Sequence, residues 1–136
     1  LLVQGESSKQ ALLQEHRQRI DEGKSSYLFG VASFSEGLDL PGEYCRHVVI
    51  VKLPFSVPDD PVDQAIAEWA EAQGRNAFYE ISVPDASLRL VQACGRLIRS
   101  EKDYGTISML DKRIVTQRYG RTLIDSLPPF RLDLPA

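Results

Sequence analysis

Residues 47–53 read HVVIVKL, and this stretch indicates the fold class of the chain. Its apolar residues follow one another with little alternation, which is typical of a strand that is buried on both faces of a sheet. Residues 26–32 (SYLFGVA) have the same character, and apolar runs at residues 1–4 and 106–110 (TISML) predict two further strands. Strands of this kind occur in parallel sheets that helices cover on both sides.

Helical patterns alternate with the predicted strands. Ser7-x-x-Gln10 is a capping-box pattern that predicts the start of a helix, and Gly23 predicts its end. The apolar positions of the predicted helices are Leu12, Leu13, His16 and Ile20, then Val62, Ile66 and Trp69, and finally Leu123, Ile124 and Leu127. Residues 54–61 (PFSVPDDP) predict a loop, and Asp85 is the expected cap of a further helix. The predicted fold class is α/β, with a three-layer, mostly parallel sheet flanked by helices.

The composition is that of an ordinary globular protein. Of 136 residues, 43% are hydrophobic and 26% are charged, which fits a single domain over residues 1–136. Sixteen basic and nineteen acidic residues give a net charge of -3, and this excludes the strongly positive chain of an autonomous nucleic-acid binder. Cys45 and Cys94 match no metal-ligand spacing, so we expect reduced thiols, a cytoplasmic protein and no metal site. Because the chain opens at Leu1 without Met and has no membrane-spanning run, it is expected to be a fragment of a longer chain outside the membrane.

Residues 92–99 (QACGRLIR) contain the strongest functional signal. If they form a helix, Gln92, Arg96 and Arg99 lie within about 60° of one another on one face, and apolar residues take the other. Two guanidiniums and an amide on one stripe suit a polyphosphate. The alternative is the solvent face of an ordinary amphipathic helix. Gly95 favours a ligand or a close backbone approach, because glycine costs about 1 kcal/mol inside a helix.

Further functional groups are expected beyond the carboxyl ends of the strands, where ligands bind in open parallel sheets. Residues 33–41 (SFSEGLDLP) follow one predicted strand, and Asp111-Lys112-Arg113 follows the last. In the first of these stretches, Glu36 and Asp39 lie on either side of Gly37, which permits a turn or a close backbone approach. The alternative for this stretch is a routine turn with an ordinary capping residue.

Four segments, taken in order, resemble the second motor domain of the DinG and XPD-like DNA helicases. They are SFSEGLDLPG, VVIVKLPFSVPDDP, QACGRLIRSEKDYG and LDKR, and the resemblance spans roughly residues 28–128. It implies a RecA-like helicase domain 2, of the P-loop NTPase type without its own P-loop, that carries motifs V and VI of a helicase C-terminal domain. It also implies that ATP and Mg²⁺ are bound mainly by a first RecA-like domain. An iron–sulphur cluster, where the parent protein has one, belongs outside this chain.

The resemblance implies roles for individual residues. Arg96 and Arg99 match the motif VI arginines that reach across to the ATP phosphates, and Gln92 would orient a phosphate oxygen or the attacking water. Asp39 in motif V would accept a hydrogen bond from the ribose or fix one of the motif VI arginines, and for Asp111-x-Arg113 a structural ion pair is favoured over ligand contact. The residues expected at ATP are Glu36, Gly37, Asp39, Arg96 and Arg99, and those expected at DNA are Ser33, Ser35 and Lys112.

The function implied by the resemblance is that of the second motor domain of an ATP-dependent helicase that translocates along single-stranded DNA in repair or replication. Its partners are then single-stranded DNA and the first RecA-like domain of the same chain, with no membrane. The isolated piece is expected to hydrolyse no ATP, because the nucleotide would have only one wall. The alternative is a non-unwinding module, in a nuclease-fused relative, that binds single-stranded DNA or a protein partner.

Overall fold

The computed structural model of this chain describes residues 1–57 and 59–135. These residues form two compact units, which are described one at a time. The first unit comprises Leu1–Val48 and Gly95–Ile107, and the second comprises residues 49–94 and 108–135 without residue 58. Part of the predicted loop at residues 54–61 therefore lies outside the described residues.

The first unit begins with a parallel strand pair. Strand β1 (Leu2–Val3) pairs with β2 (Leu28–Phe29), with Leu2 opposite Leu28 and Val3 opposite Phe29. Helix α1 (Lys9–Asp21) connects the two strands, and a short helix α2 (Ala32–Ser35) and a 3-10 turn (Gly42–Tyr44) follow β2. The connection from one parallel strand to the next through a helix is the one that the sequence predicts.

Helix α1 starts one residue later than the predicted capping box allows. Ser8, and not Ser7, has the extended backbone of a cap, and its side chain accepts a hydrogen bond from the Ala11 N–H at 3.2 Å. The helix ends as predicted, because Gly23 takes a φ of +74° and its N–H donates to the Ile20 carbonyl at 2.9 Å.

A small apolar core holds the first unit together. Leu2, Leu12 and Phe34 are buried against one another, with Leu28 and Leu38 packed at the edge. His16 is also buried, and its two ring nitrogens form hydrogen bonds with the Ser26 hydroxyl and the Tyr44 carbonyl, each at 2.8 Å. These bonds satisfy both polar atoms of the ring, so His16 has a structural role in this unit.

The second unit is mainly helical. Its elements are helix α3 (Pro61–Ala72), a π-helical turn (Phe78–Ser82), helix α4 (Val83–Cys94), and the short helices α5 (Arg113–Thr116) and α6 (Arg118–Asp125). Helix α4 packs against α6, and Leu90 and Leu123 are fully buried there. Gly120 of α6 is required where α6 approaches α5, because a Cβ atom on it would lie 2.0 Å from the Ile114 carbonyl oxygen.

One expectation for the helices of the second unit is wrong, and another is confirmed. Asp85 is not a cap, because the π-helical turn runs directly into α4 and Asp85 lies inside the helix, paired with Arg89 at 2.9 Å. The helix predicted from Val62, Ile66 and Trp69 is confirmed as α3, although Val62 is 63% and Trp69 is 59% exposed. Helix α3 does begin at a proper cap, as the Asp60 side chain accepts from the Val62 N–H at 2.8 Å.

Strands β3 (His47–Ile50) and β4 (Thr106–Met109) form a second sheet. The Thr106 N–H donates to the Arg46 carbonyl and the Leu110 N–H to the Ile50 carbonyl, each at 2.9 Å. These bonds advance in the same direction along both strands, as they do in a parallel pair.

The α/β class with parallel strand pairing is confirmed, but burial of strands on both faces is wrong for the described residues. Val49 in β3 is 50% exposed and Phe29 in β2 is 59% exposed. Each sheet among the described residues contains two strands, so each strand has a neighbouring strand on one side only. No helix within residues 1–57 and 59–135 is long and apolar enough to cross a membrane.

Candidate functional site

The arginine-bearing segment is a turn and not the predicted helix. Helix α4 ends at Cys94, so Gln92 lies on the helix whereas Arg96 and Arg99 lie beyond it. The Asp103 carboxylate accepts hydrogen bonds from the backbone N–H groups of Arg99 at 2.8 Å and Ser100 at 2.7 Å, and these bonds hold the segment in a closed turn. The same bonds hold the pKa of Asp103 below its ordinary value. One helix face bearing all three side chains was therefore a wrong prediction.

Arg96 and Arg99 nevertheless converge on one place in the first unit. The Arg96 Nη1 atom donates to the Leu38 carbonyl at 3.2 Å, and the Arg99 Nη1 atom donates to Asp39 Oδ1 at 2.8 Å. The Arg99 Nη2 atom also donates to the Leu38 carbonyl. Of the two partners predicted for Asp39, the arginine is the one present in this structure.

We call residues 36–39 the acceptor turn, because three of its carbonyl groups, those of Glu36, Leu38 and Asp39, accept hydrogen bonds from cationic side chains. The turn follows helix α2 and reverses direction at Gly37, whose φ of +67° is a conformation that residues with a side chain rarely adopt. The Leu38 N–H closes it by donating to the Ser35 carbonyl at 3.2 Å. The prediction that Gly37 permits a turn is confirmed.

Two further cations bind the acceptor turn, and sequence reasoning missed both. From helix α1, Lys9 Nζ donates to the Glu36 carbonyl and Arg17 Nη2 donates to the Asp39 carbonyl. Lys9 also lies over the Phe34 ring at 5.6 Å. A basic residue on an amphipathic helix has the same local sequence pattern whether it is solvated or bound to a distant loop, so no local signal reveals these contacts.

The remaining predicted residues of the first unit are at or near the turn. The Ser35 hydroxyl donates to the Ala32 carbonyl at 2.7 Å and so belongs to the end of helix α2. Ser33 and the side chain of Glu36 are exposed. Asp39 is also exposed at its carboxylate, which is 71% accessible, whereas Arg99 is 30% accessible. The acceptor turn and the two arginines therefore form a cluster that solvent reaches.

Gln92 and Lys112 belong to the second unit, where both are exposed. Lys112 precedes helix α5, and its neighbours Asp111 and Arg113 form the expected ion pair, with Arg113 Nη2 2.6 Å from Asp111 Oδ2. Asp111 also accepts from the Leu53 N–H at 3.0 Å. The Arg113 guanidinium, with help from this N–H, holds the pKa of Asp111 well below its ordinary value.

Aromatic rings surround this ion pair. Phe55 stacks with Phe78 at 5.5 Å between ring centres and meets Tyr119 edge-on at 5.2 Å. The Arg113 guanidinium lies 5.8 Å from the centre of the Phe55 ring. The Asp111–Arg113 pair is thus part of the packing of the second unit, in line with the structural role favoured by the sequence.

The cysteines are free thiols, and burial raises the pKa of Cys94 to about 11. Burial also raises the pKa of Cys45, while the nearby charge of Arg99 acts in the opposite direction. Within residues 1–57 and 59–135, no group of three or more His, Cys, Asp or Glu side chains could hold a metal ion.

Comparison with known proteins gives the family. The family described as "Helicase C-terminal domain" matches residues 1–130. The chain belongs to this family. The resemblance to the DinG helicases, inferred from four short motifs, is confirmed over nearly the whole chain.

The relatives are bacterial proteins named "ATP-dependent DNA helicase DinG". That of Photobacterium profundum is 53% identical over 131 residues, which are 96% of this chain. That of Salmonella typhimurium is 43% identical over 136 residues, and that of Escherichia coli is 42% identical over 135 residues. The helicase C-terminal domain described here covers 19% of each of these relatives.

Proposed function

We propose that this chain is the second motor domain of an ATP-dependent helicase that translocates along single-stranded DNA, in DNA repair or replication. The observation that carries the proposal is the convergence of Arg96 and Arg99 on the acceptor turn, since these are the two residues that match the motif VI arginines. Identity to proteins named ATP-dependent DNA helicase over nearly the whole chain supports it. On this proposal, residues 1–136 are one RecA-like domain that belongs to a three-layer fold in a longer, cytoplasmic protein.

The chemistry proposed for this chain is stabilisation of charge by the two guanidiniums. During phosphoryl transfer, negative charge spreads over the oxygens of the transferred group, and a guanidinium that reaches them stabilises the transition state. In this structure the partners of Arg96 and Arg99 are a peptide carbonyl and one exposed carboxylate. A triphosphate carries more charge than either partner, so it can draw both guanidiniums from the acceptor turn when a second domain brings ATP close.

The nucleotide itself belongs to the first motor domain in this proposal. ATP and Mg²⁺ are held mainly there, and this chain supplies the two arginines and the acceptor turn at the nucleotide. ATP hydrolysis is thereby coupled to movement, because the arginines reach the phosphates only when the two domains close. Closure in turn moves the domains along the DNA strand.

The other predicted residues have supporting roles in this proposal. Gln92 orients a phosphate oxygen or the attacking water, and Asp39 holds Arg99 until the nucleotide arrives. Residues at the nucleotide edge are Glu36, Gly37 and Asp39, and residues at the DNA backbone are Ser33, Ser35 and Lys112.

Alanine substitution of the arginines in the full-length protein tests the proposal. Arg96→Ala and Arg99→Ala are each expected to lower kcat for DNA-stimulated ATP hydrolysis by about 100-fold or more, while binding of single-stranded DNA changes by less than about threefold. The readouts are phosphate release and fluorescence anisotropy of a labelled oligonucleotide.

Arg19→Ala is the matched control. Arg19 lies on helix α1 and pairs with Glu15 on the same helix, so its loss removes one positive charge without touching the acceptor turn. It is expected to behave as wild type. Wild-type turnover in both Arg96→Ala and Arg99→Ala would remove the arginines from the chemistry and overturn the proposal.

A further inference from the structure

Arg17 on helix α1 has an arrangement that an ordinary surface cation lacks. Its Nη2 atom donates to the Asp39 carbonyl, and its guanidinium lies 5.7 Å from the centre of the Tyr44 ring. Its Nε atom is enclosed and has no hydrogen-bond partner among the described residues. An enclosed N–H without a partner costs about 1–3 kcal/mol. The bond to Asp39 and the ring contact are the interactions that hold the guanidinium in this place.

Asp39 is thereby held from two sides. Its carbonyl accepts from Arg17, and its carboxylate accepts from Arg99 at 2.8 Å. The carboxylate is 71% exposed, so little packing around it fixes its direction. The position of its own backbone, which Arg17 binds, is what determines where the carboxylate meets Arg99.

Helix α1 fixes the other parts of the same segment as well. Lys9 binds the Glu36 carbonyl on the other side of Gly37, the most conformationally free residue of the acceptor turn. Further along, the Tyr44 hydroxyl donates to Asp21 Oδ1 at 2.8 Å, and this bond keeps the ring under the Arg17 guanidinium. Helix α1 therefore restrains the acceptor turn at both of its ends and the chain after it at Tyr44.

We infer that Arg17 is a positioning residue for ATP hydrolysis, which acts through Asp39 to hold Arg99 at the place from which an arriving triphosphate takes it up, with Lys9 fixing the opposite end of the acceptor turn. The inference rests on the proposed function. A charge-assisted hydrogen bond is roughly twice as strong as one between neutral groups. The bonds from Lys9 and Arg17, one on each side of Gly37, therefore hold a turn that would otherwise move. Arg17 touches neither nucleotide nor DNA in this scheme.

The test uses the full-length protein and separates kcat from KM. Arg17→Met removes the charge and keeps the length of the side chain, and it is expected to lower kcat about tenfold with KM for ATP within about twofold, because Arg99 acts in the transition state. Arg17→Lys keeps the charge but not the planar fork and is expected to lose only about threefold in kcat. Arg19→Met, on the same helix, is expected to behave as wild type.

A double-mutant cycle identifies the residue through which Arg17 acts. Residues that work as one unit are non-additive. In an Arg99→Met background, Arg17→Met is therefore expected to change kcat by less than about twofold. If the two losses multiply instead, or if Arg17→Met matches Arg19→Met, the inference is overturned.

Failure of the proposed function gives a different result. If Arg99→Met alone leaves kcat unchanged, the arginine has no part in hydrolysis, and the proposed function has failed before Arg17 is considered. Should Arg17→Met not fold, as judged by thermal denaturation, Arg17→Lys decides alone, and wild-type kcat in that variant overturns the inference.

Discussion

Two carboxylates of this chain, Asp39 and Asp111, each hold an arginine, but they do so in opposite surroundings. The Asp39 side chain is 71% exposed, whereas that of Asp111 is 10% exposed. Asp111 also binds a buried backbone, since the N–H of Leu53 donates to it at 3.0 Å. An exposed carboxylate exchanges partners at little cost, whereas a shielded carboxylate that also binds a buried N–H is costly to leave unpaired. The exposed Asp39 is therefore suited to release Arg99. Asp111 is suited to stabilise the fold through its bonds to Arg113 and the Leu53 N–H.

Asp111→Ala is expected to lower the free energy of local opening around Leu53 by about 1–3 kcal/mol, because it leaves a buried N–H unpaired. Amide hydrogen exchange of peptides that contain Leu53 measures this change. The control is Asp125→Ala, which removes an exposed pair with Arg121 within helix α6 and should cost less than about 0.5 kcal/mol. Equal protection in the two variants would contradict the role given to Asp111.

The same experiment has a pH dependence of known sign. The pKa of Asp111 is held below its ordinary value in the folded chain, chiefly by Arg113. Its contribution to stability is therefore complete above an unfolded-state pKa of about 4 and is lost as the pH falls through the lower folded-state pKa. Acidification below about pH 4 is expected to weaken protection in the wild type, and Asp111→Ala should lack that part of the change.

At the scale of elements, the ends of helices and the approach of strands decide where the arginines lie. Helix α4 stops at Cys94, and the turn after it is anchored by the buried side chain of Leu97. Gly105 makes the return of the chain possible, because a Cβ atom on it would lie 2.3 Å from the Arg46 carbonyl oxygen and 2.6 Å from Leu97 Cδ1. The segment with Arg96 and Arg99 therefore begins where helix α4 ends, and the close approach of Gly105 to Arg46 fixes its other end.

Gly105→Ala is expected to cost about 1–3 kcal/mol or more, since backbone must move to admit the methyl group. The matched control is Gly23→Ala, where φ is +74° and nothing lies within 4 Å of the new Cβ, so only backbone strain of about 1 kcal/mol applies. Hydrogen exchange of peptides from β4 measures the difference. If Gly23→Ala proves the more harmful of the two, the close approach at Gly105 is not a determinant of this structure.

At the scale of the whole molecule, the two arginines and their acceptors lie within one of the two units. The acceptor turn and the segment with Arg96 and Arg99 both belong to the first unit. The chain spans about one fifth of the length of its relatives, and the proposal places the other wall of the ATP cleft in a first motor domain outside this chain.

The isolated 136-residue chain is therefore expected to show no ATP hydrolysis above background, with or without single-stranded DNA. Sensitive phosphate-release measurements at saturating ATP test this, with the full-length protein as the positive control. Turnover by the isolated chain that disappears in Arg96→Ala would show that a complete cleft exists within these residues, which contradicts the proposal of a divided site.

Much of this protein is determined by its sequence alone. The α/β class follows from apolar runs that alternate with helical patterns, and the family follows from four motifs in a set order. The end of helix α1 at Gly23 and the turn at Gly37 were also predictable, because glycine permits a backbone that other residues resist. Each of these features depends on residues close together in the chain.

Tertiary structure alone decided the geometry of the arginine pair. The apolar period continues through Leu97 and Ile98, so the local pattern predicts a longer helix. The chain instead turns, with bonds to the nearby Asp103 carboxylate and a close approach of Gly105 to the distant Arg46 carbonyl. The bonds from Arg17 and Lys9 to the acceptor turn were equally hidden, since they join residues 22 and 27 positions apart. A side chain that binds a backbone carbonyl does not require a particular residue type at the partner position, because every residue carries a carbonyl group. This is the physical reason why the sequence identified the arginines but not what holds them.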